Sequence, residues 1–214
     1  MSPSLTTLRT QIGQALLDYS VQSPHIVGML DYGSSSEGRA DALSDLDIAL
    51  FIRDEALFEF EQHWKTWAAQ FGSVLLAYIG GVGYPWVVYD AEPLPLRVDF
   101  AFQRASELDT VLAWPNAPSS VDAMLLYDKT NGQLASYVKQ LVGQSLAPTD
   151  RKQSFESSCG DFWYYSCAAG QSCYVANSGQ HAMILTIWCW VFWWDYCALR
   201  RMRLSAGALA LAPQ

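Results

Sequence analysis

Between positions 32 and 50 the chain reads YGSSSEGRADALSDLDIAL, and Asp45 and Asp47 in that run are the residues best placed to do chemistry. One residue separates them. On a strand, where side chains alternate between faces, that spacing sets both carboxylates on one face. Two carboxylates side by side repel unless a cation sits between them, so a shared Mg²⁺ is the physical expectation. Upstream, Gly33-Ser34 closes an apolar stretch and is expected to open a short helix. Glycine lets the backbone approach a phosphate closely, and the free N–H groups at a helix start attract anions.

A third acid lies downstream. In LRVDFAF (residues 96–102), Val98, Phe100 and Phe102 alternate with Arg97, Asp99 and Ala101. Asp99 is therefore expected to point away from the core-packed face, on a strand beside the first pair. Three such carboxylates can hold one metal on a triphosphate and a second at an acceptor hydroxyl, lowering the cost of charge that develops during in-line displacement. Asp99 is also the candidate general base. A lone Asp-x-Asp is a weak signal, because aspartates often cap turns, and a Ser44-Asp45 turn leading into a strand is the plain alternative. Gly33-Ser34 at this distance, with Asp99 on a matching strand, favours the metal site.

Other candidates carry less. No Gly-x-Ser-x-Gly elbow surrounds Ser34 and no histidine is near it in sequence, which argues against a serine nucleophile. His63 reads as a surface residue. Gly80-Gly81-Val82-Gly83 lacks a following Lys-Ser/Thr and reads as a hairpin turn. Tyr84, Trp86 and Tyr89 could line a substrate pocket, although aromatic strands are usually core. Asp41 reads as solvated, and so does Glu92, unless it faces a cationic acceptor.

The elements that must position these residues follow from periodicity. Residues 1–20 have the spacing of an amphipathic helix (Leu5, Leu8, Ile12, Leu16). Residues 25–32, 47–52, 73–79, 84–89 and 96–102 read as strands. Asp54 and Glu55 open a helix to about Phe71, with Leu57, Phe60, Trp64 and Trp67 on one face. Helices are expected at 106–113, 121–126 and 132–142. The pattern predicts an α/β (α+β) fold, a mixed sheet flanked by helices, with a catalytic domain over 1–118 and a helical region over 119–214.

Composition narrows the chemistry. With hydrophobic residues at 51% and charged residues at 16%, a packed core is expected. The net charge of -8 argues against a nucleic-acid partner, which needs a basic face. It leaves room for a nucleotide held by backbone N–H groups and metal. The start of the chain has no signal-peptide pattern, and the five cysteines form no Cys-x-x-Cys pair. A reducing cytoplasm is the expected compartment.

The Gly-Ser pair, SDLD and the isolated Asp of LRVDF resemble the nucleotidyltransferase fold of the DNA polymerase beta superfamily, over roughly residues 8–141. That resemblance implies that Asp45, Asp47 and Asp99 bind divalent metal and that Gly33 and Ser34 hold the nucleotide phosphates. DAMLLYDKTNGQLASYV (residues 122–138) is similar to a segment of lincosamide nucleotidyltransferases, which adenylylate an antibiotic hydroxyl; related enzymes modify aminoglycosides. The implied reaction moves AMP from ATP, with Mg²⁺, to a small hydroxylated acceptor. The chain departs from many relatives at Glu37, where they carry a basic residue; its own, Arg39, follows Gly38. Small proteins resembling this fold also act as antitoxin partners of helical toxins, so a regulatory binding module is the alternative.

The C-terminal part is unusual. All five cysteines and five of the nine tryptophans lie between 159 and 197. The apolar run 182–194 has 13 residues, short of the roughly 20 needed to cross a bilayer. A buried helix would need burial on every side. A third reading is a shifted frame from about residue 165. Any codons for Phe-Trp-Trp-Asp-Tyr-Cys (192–197), read one base earlier, give Leu-Val-Gly-Leu-Leu, part of an ordinary aliphatic helix.

Overall fold

In the computed structural model, residues 2–79, 83–144 and 151–176 are described. Contacts divide the chain into two units, Met1–Leu146 and Ala147–Gln214.

The first unit is α+β, built on a six-stranded mixed sheet. Helix α1 (Leu5–Gln22) starts at Ser4, whose hydroxyl accepts from the Thr7 N–H, and it buries Leu5, Leu8, Ile12 and Leu16 at helical spacing. Strands β1 (Ile26–Asp31) and β2 (Leu46–Ile52) pair antiparallel. Helix α2 (Asp54–Ala68) follows, with Asp54 and Glu55 in its first turn and Leu57, Trp64 and Trp67 buried. Strands β3 (Val74–Ile79) and β4 (Pro85–Tyr89) pair antiparallel, and β4 pairs antiparallel with β5 (Leu96–Arg104). Of the turn expected at Gly80-Gly81-Val82-Gly83, residues 80–82 lie outside the described residues.

The sheet order is β3-β4-β5-β2-β1-β6, and β2 runs parallel to β5. A parallel pair cannot be joined by a tight turn. Here α2, β3 and β4 make the crossover, bringing residue 47 beside residue 99.

Alternation gives the sheet two different faces. Ile48, Leu50, Ile52, Val98 and Phe100 point into a core shared with α1 and α2. There Trp67 packs edge-on against Tyr19, Phe71 and Phe100. Ala49, Phe51 and Ala101 point the other way, into a second core. A 3₁₀ segment (Ala105–Ala113) and α4 (Gln133–Leu141) supply the rest of it through Leu108, Val111, Leu134, Val138 and Leu141.

Two expectations need correction. Residues 121–126 are not one helix: α3 (Val121–Met124) ends and β6 (Leu125–Asp128) pairs antiparallel with β1. The free edge of β1 offers backbone partners that outweigh local helical preference over so short a stretch. The sheet therefore continues beyond residue 118. Residues 34–38, expected to open a helix, form a turn instead, closed by hydrogen bonds from Gly38 N–H to Ser35 O and from Arg39 N–H to Ser34 O.

In the second unit α5 (Arg151–Ala176) is described. Trp163 and Tyr164 on it are 66% and 70% exposed. No helix among the described residues is long and apolar enough to cross a membrane. The apolar run 182–194 lies outside them.

Candidate metal centre

Asp45 precedes β2, Asp47 lies in it and Asp99 lies in β5, where the parallel register sets Asp47 directly opposite Asp99. Both sit on the face carrying Ala49 and Ala101, at the end of the strands. One carboxylate oxygen from each of Asp45, Asp47 and Asp99 lies within 4.8 Å of the others. The three side chains that the sequence spacing singled out thus meet in one cluster.

Tyr32 and Gly33 close the site from the β1 side. The Tyr32 N–H donates to Asp47 O, which continues the β1–β2 ladder past Asp31. The chain then turns tightly against Asp47: a Cβ added at Gly33 would lie 1.9 Å from Asp47 Oδ2 and 2.7 Å from its Cγ. Only glycine fits there. Ser34 follows with its Oγ buried and without a hydrogen-bond partner, an orphaned donor two residues from that ladder.

Residues far away in sequence hold the turn. Asn116 Nδ2 donates to Tyr32 O at 2.6 Å, and Ser119 donates through both its N–H and its Oγ to Ser36 O. Glu37 pairs with Arg39 and accepts from the Ala117 N–H at 3.3 Å. Arg39 is thereby held by its own neighbour, Glu37. On the other side, Arg9 of α1 donates to Asp41 O at 2.8 Å and Ser44 O at 2.9 Å. Asp41 Oδ1 accepts from the Leu43 N–H, so this exposed acid shapes the turn into Asp45. Sequence reasoning passed over Arg9, Asn116 and Ser119; the one available signal was an arginine in a helix with few other charges.

The electrostatics are those of crowded acids. Burial, then the neighbouring Asp45 and Asp99, pushes Asp47 up to about 8, with Arg97 pulling the other way. Burial likewise pushes Asp31 up to about 6, against the Gly33 N–H that donates to its Oδ1. Arg97 is the nearby cation. It lies two residues before Asp99 on β5, and its Nη2 stands 2.8 Å from Asp45 Oδ2 and 3.0 Å from Asp99 Oδ2.

The donor set could hold a divalent ion: hard cations take carboxylate oxygens, and one oxygen from each of the three acids converges. The Asp47 carboxylate packs directly against Gly33, and Ser34 Oγ is unsatisfied. Of the other candidates, Tyr89 is core, its hydroxyl donating to Ala68 O at 2.8 Å. Trp86 stands directly opposite Asp99 on β4 and is half-buried, while Tyr84 is exposed. His63 is exposed on α2, its Nδ1 2.9 Å from Glu59 O.

Comparison with known proteins adds no family: no family model matches the chain, and no curated protein matches it.

Proposed function

We propose that the chain transfers a nucleoside monophosphate from a magnesium nucleotide, AMP from ATP being the favoured case, to a hydroxyl of a small molecule. The fold type would be that of the nucleotidyltransferases, and lincosamide or aminoglycoside antibiotics are the candidate acceptors. One observation carries this reading. Three carboxylates, Asp47 and Asp99 on two parallel strands and Asp45 just before the first of them, converge within 4.8 Å beside a turn where only glycine clears Asp47. An acid cluster alone has many explanations; joined to a tight turn bearing an orphaned Ser34 hydroxyl, it matches a metal-bound phosphate chain.

In this reading Asp45, Asp47 and Asp99 would hold Mg²⁺, which supplies neutralisation of the triphosphate and of the attacking oxygen. Gly33 lets the phosphates approach the backbone, and Ser34 Oγ donates to a phosphate oxygen. Asp99 takes the proton of the acceptor hydroxyl. The hydroxyl oxygen bonds to the α-phosphorus as the bond from that phosphorus to the leaving oxygen breaks, and pyrophosphate departs.

The test is mass spectrometry of lincosamides and aminoglycosides incubated with the purified chain, Mg²⁺ and each nucleoside triphosphate. An acceptor gaining one nucleoside monophosphate, with none gained in Asp47→Asn or Asp99→Asn, supports the reading. Full turnover in both variants refutes the residue roles.

One observation favours the regulatory-module alternative. Arg97 already bridges two of the three acids, as it would in a site that holds no ion. Nucleotide-independent, stoichiometric co-purification with a protein partner, together with an inert panel, would select that alternative.

A further inference from the structure

We propose that Arg97 is a resident counter-cation of the acid cluster, which a divalent ion must displace from Asp45 and Asp99, and that this competition makes metal binding depend on nucleotide. The inference rests on the metal-dependent reading above and concerns how that site is loaded.

The strand register builds the device. Arg97 and Asp99 are two residues apart on β5 and so share a face. Leu46 stands opposite Val98, which sets Asp45 beside Arg97 across the parallel pair. A single nitrogen, Arg97 Nη2, reaches both carboxylates, at 2.8 and 3.0 Å. The side chains of Arg97, Asp45 and Asp99 are 28%, 13% and 24% exposed, so water screens these pairs less than it screens surface ones.

Two cations cannot share those oxygens without repelling each other. A divalent ion alone must dislodge a charge-assisted hydrogen-bonded arginine and leave its guanidinium beside a second positive charge. A triphosphate arriving with the ion changes the balance. The guanidinium's planar fork of donors suits phosphate oxygens as well as carboxylates, so Arg97 can exchange one anionic partner for another. Free ion is then held weakly, while ion and nucleotide together are held strongly. Before loading, the same arginine offsets the repulsion between acids that would otherwise oppose folding of this end of the sheet.

The test titrates the full chain with Mn²⁺ alone, following free Mn²⁺ by electron paramagnetic resonance, and repeats the titration with α,β-methylene ATP. Arg97→Gln is expected to bind Mn²⁺ alone roughly tenfold or more tightly than the wild type. The gain in Mn²⁺ affinity brought by the nucleotide analogue should shrink correspondingly. Arg97→Lys, which keeps the charge without the fork, is expected to fall between them. Equal Mn²⁺ affinity in wild type and Arg97→Gln, with the fold intact by circular dichroism, overturns this inference and leaves the metal site standing. Absence of Mn²⁺ binding in both proteins overturns the metal reading and this inference together. Should metal-free Arg97→Gln melt too early to titrate, its melting temperature with and without Mn²⁺ decides. A larger upward shift than in wild type supports the displacement, and an equal or smaller one overturns it.

Discussion

The two faces of the central sheet are made by the same strands and do opposite things. Toward α1 and α2, Ile48, Leu50, Val98 and Phe100 meet Trp67, Ile12 and Leu16, and every one of those side chains is at most 5% exposed. On the reverse side, Ala49, Phe51 and Ala101 are covered by α4 and the 3₁₀ segment, and beyond that cover come Asp45, Asp47 and Asp99. Burial on the first face removes apolar area from water and stabilises the fold. The second face buries apolar side chains too, but at its end it also removes acids from water, and that part of the burial opposes folding. The molecule uses one surplus to offset the other deficit.

If that contrast holds, changes on the two faces should separate stability from activity. The largest effect is expected at Asp47. Asp47→Asn should lower nucleotide transfer by more than the roughly hundredfold that loss of a mere supporting partner of a metal ligand costs. It should also make the metal-free protein more stable at pH 8. The folded Asp47 holds its proton up to about 8, whereas an aspartate in the unfolded chain releases it near 3.8. The native state therefore binds more protons between those values, and its stability falls as pH rises through that window. Thermal melts of wild type and Asp47→Asn without metal should converge near pH 4 and separate toward pH 8. A constant gap across the range would break the comparison.

Next comes Trp67, on the opposite face. Trp67→Ala removes a ring packed among Tyr19, Phe60, Phe71, Phe100 and Phe102, and is expected to cost about 3–5 kcal/mol in urea unfolding. Turnover per folded molecule should change little.

Gly33→Ala should do the reverse. The added methyl collides with Asp47, so Mn²⁺ affinity measured by calorimetry should fall, with an unfolding cost of about 1–3 kcal/mol as the turn shifts. Unchanged Mn²⁺ binding would mean that the close packing of Asp47 against Gly33 does not shape the site.

The smallest effect is expected at Arg9, which ties α1 to the turn before Asp45. Arg9→Ala loses two hydrogen bonds to the Asp41–Ser44 turn and should cost about 1–2 kcal/mol, with a modest rise in the Km for metal nucleotide.

How much of this was legible in the sequence depended on distance along the chain. Period-two alternation in residues 96–102 set Asp99 opposite the apolar side chains, and the one-residue gap between Asp45 and Asp47 did the same for that pair. Both are local signals, and the geometry agrees with them. Trp64 and Trp67 were likewise readable, from their spacing along α2. What could not be read was the partner that each local pattern would find. The helical preference of residues 121–126 gave way at Leu125 because β1 had an open edge. Asn116 and Ser119 clasp a turn some eighty residues earlier, and no periodicity announces that. Arg97 was visible as the polar residue alternating with Val98. Its bond to Asp45 depends on a parallel register that joins residues 52 apart in the chain.

That register also fixes when the site comes into existence. Asp45 and Asp47 meet Asp99 only after α2, β3 and β4 have been threaded between them, a pairing that closes a loop of some fifty residues. Non-local contacts of this kind form late, since their chain-ordering cost precedes their reward. During synthesis the first two acids would leave the ribosome well before the third, with no complete ligand set until β5 has been made and has slotted beside β2. On the metal-dependent reading proposed above, joint uptake of a divalent ion and nucleotide would then report the β2–β5 pairing, and chains that had not yet made that pairing would not sequester them.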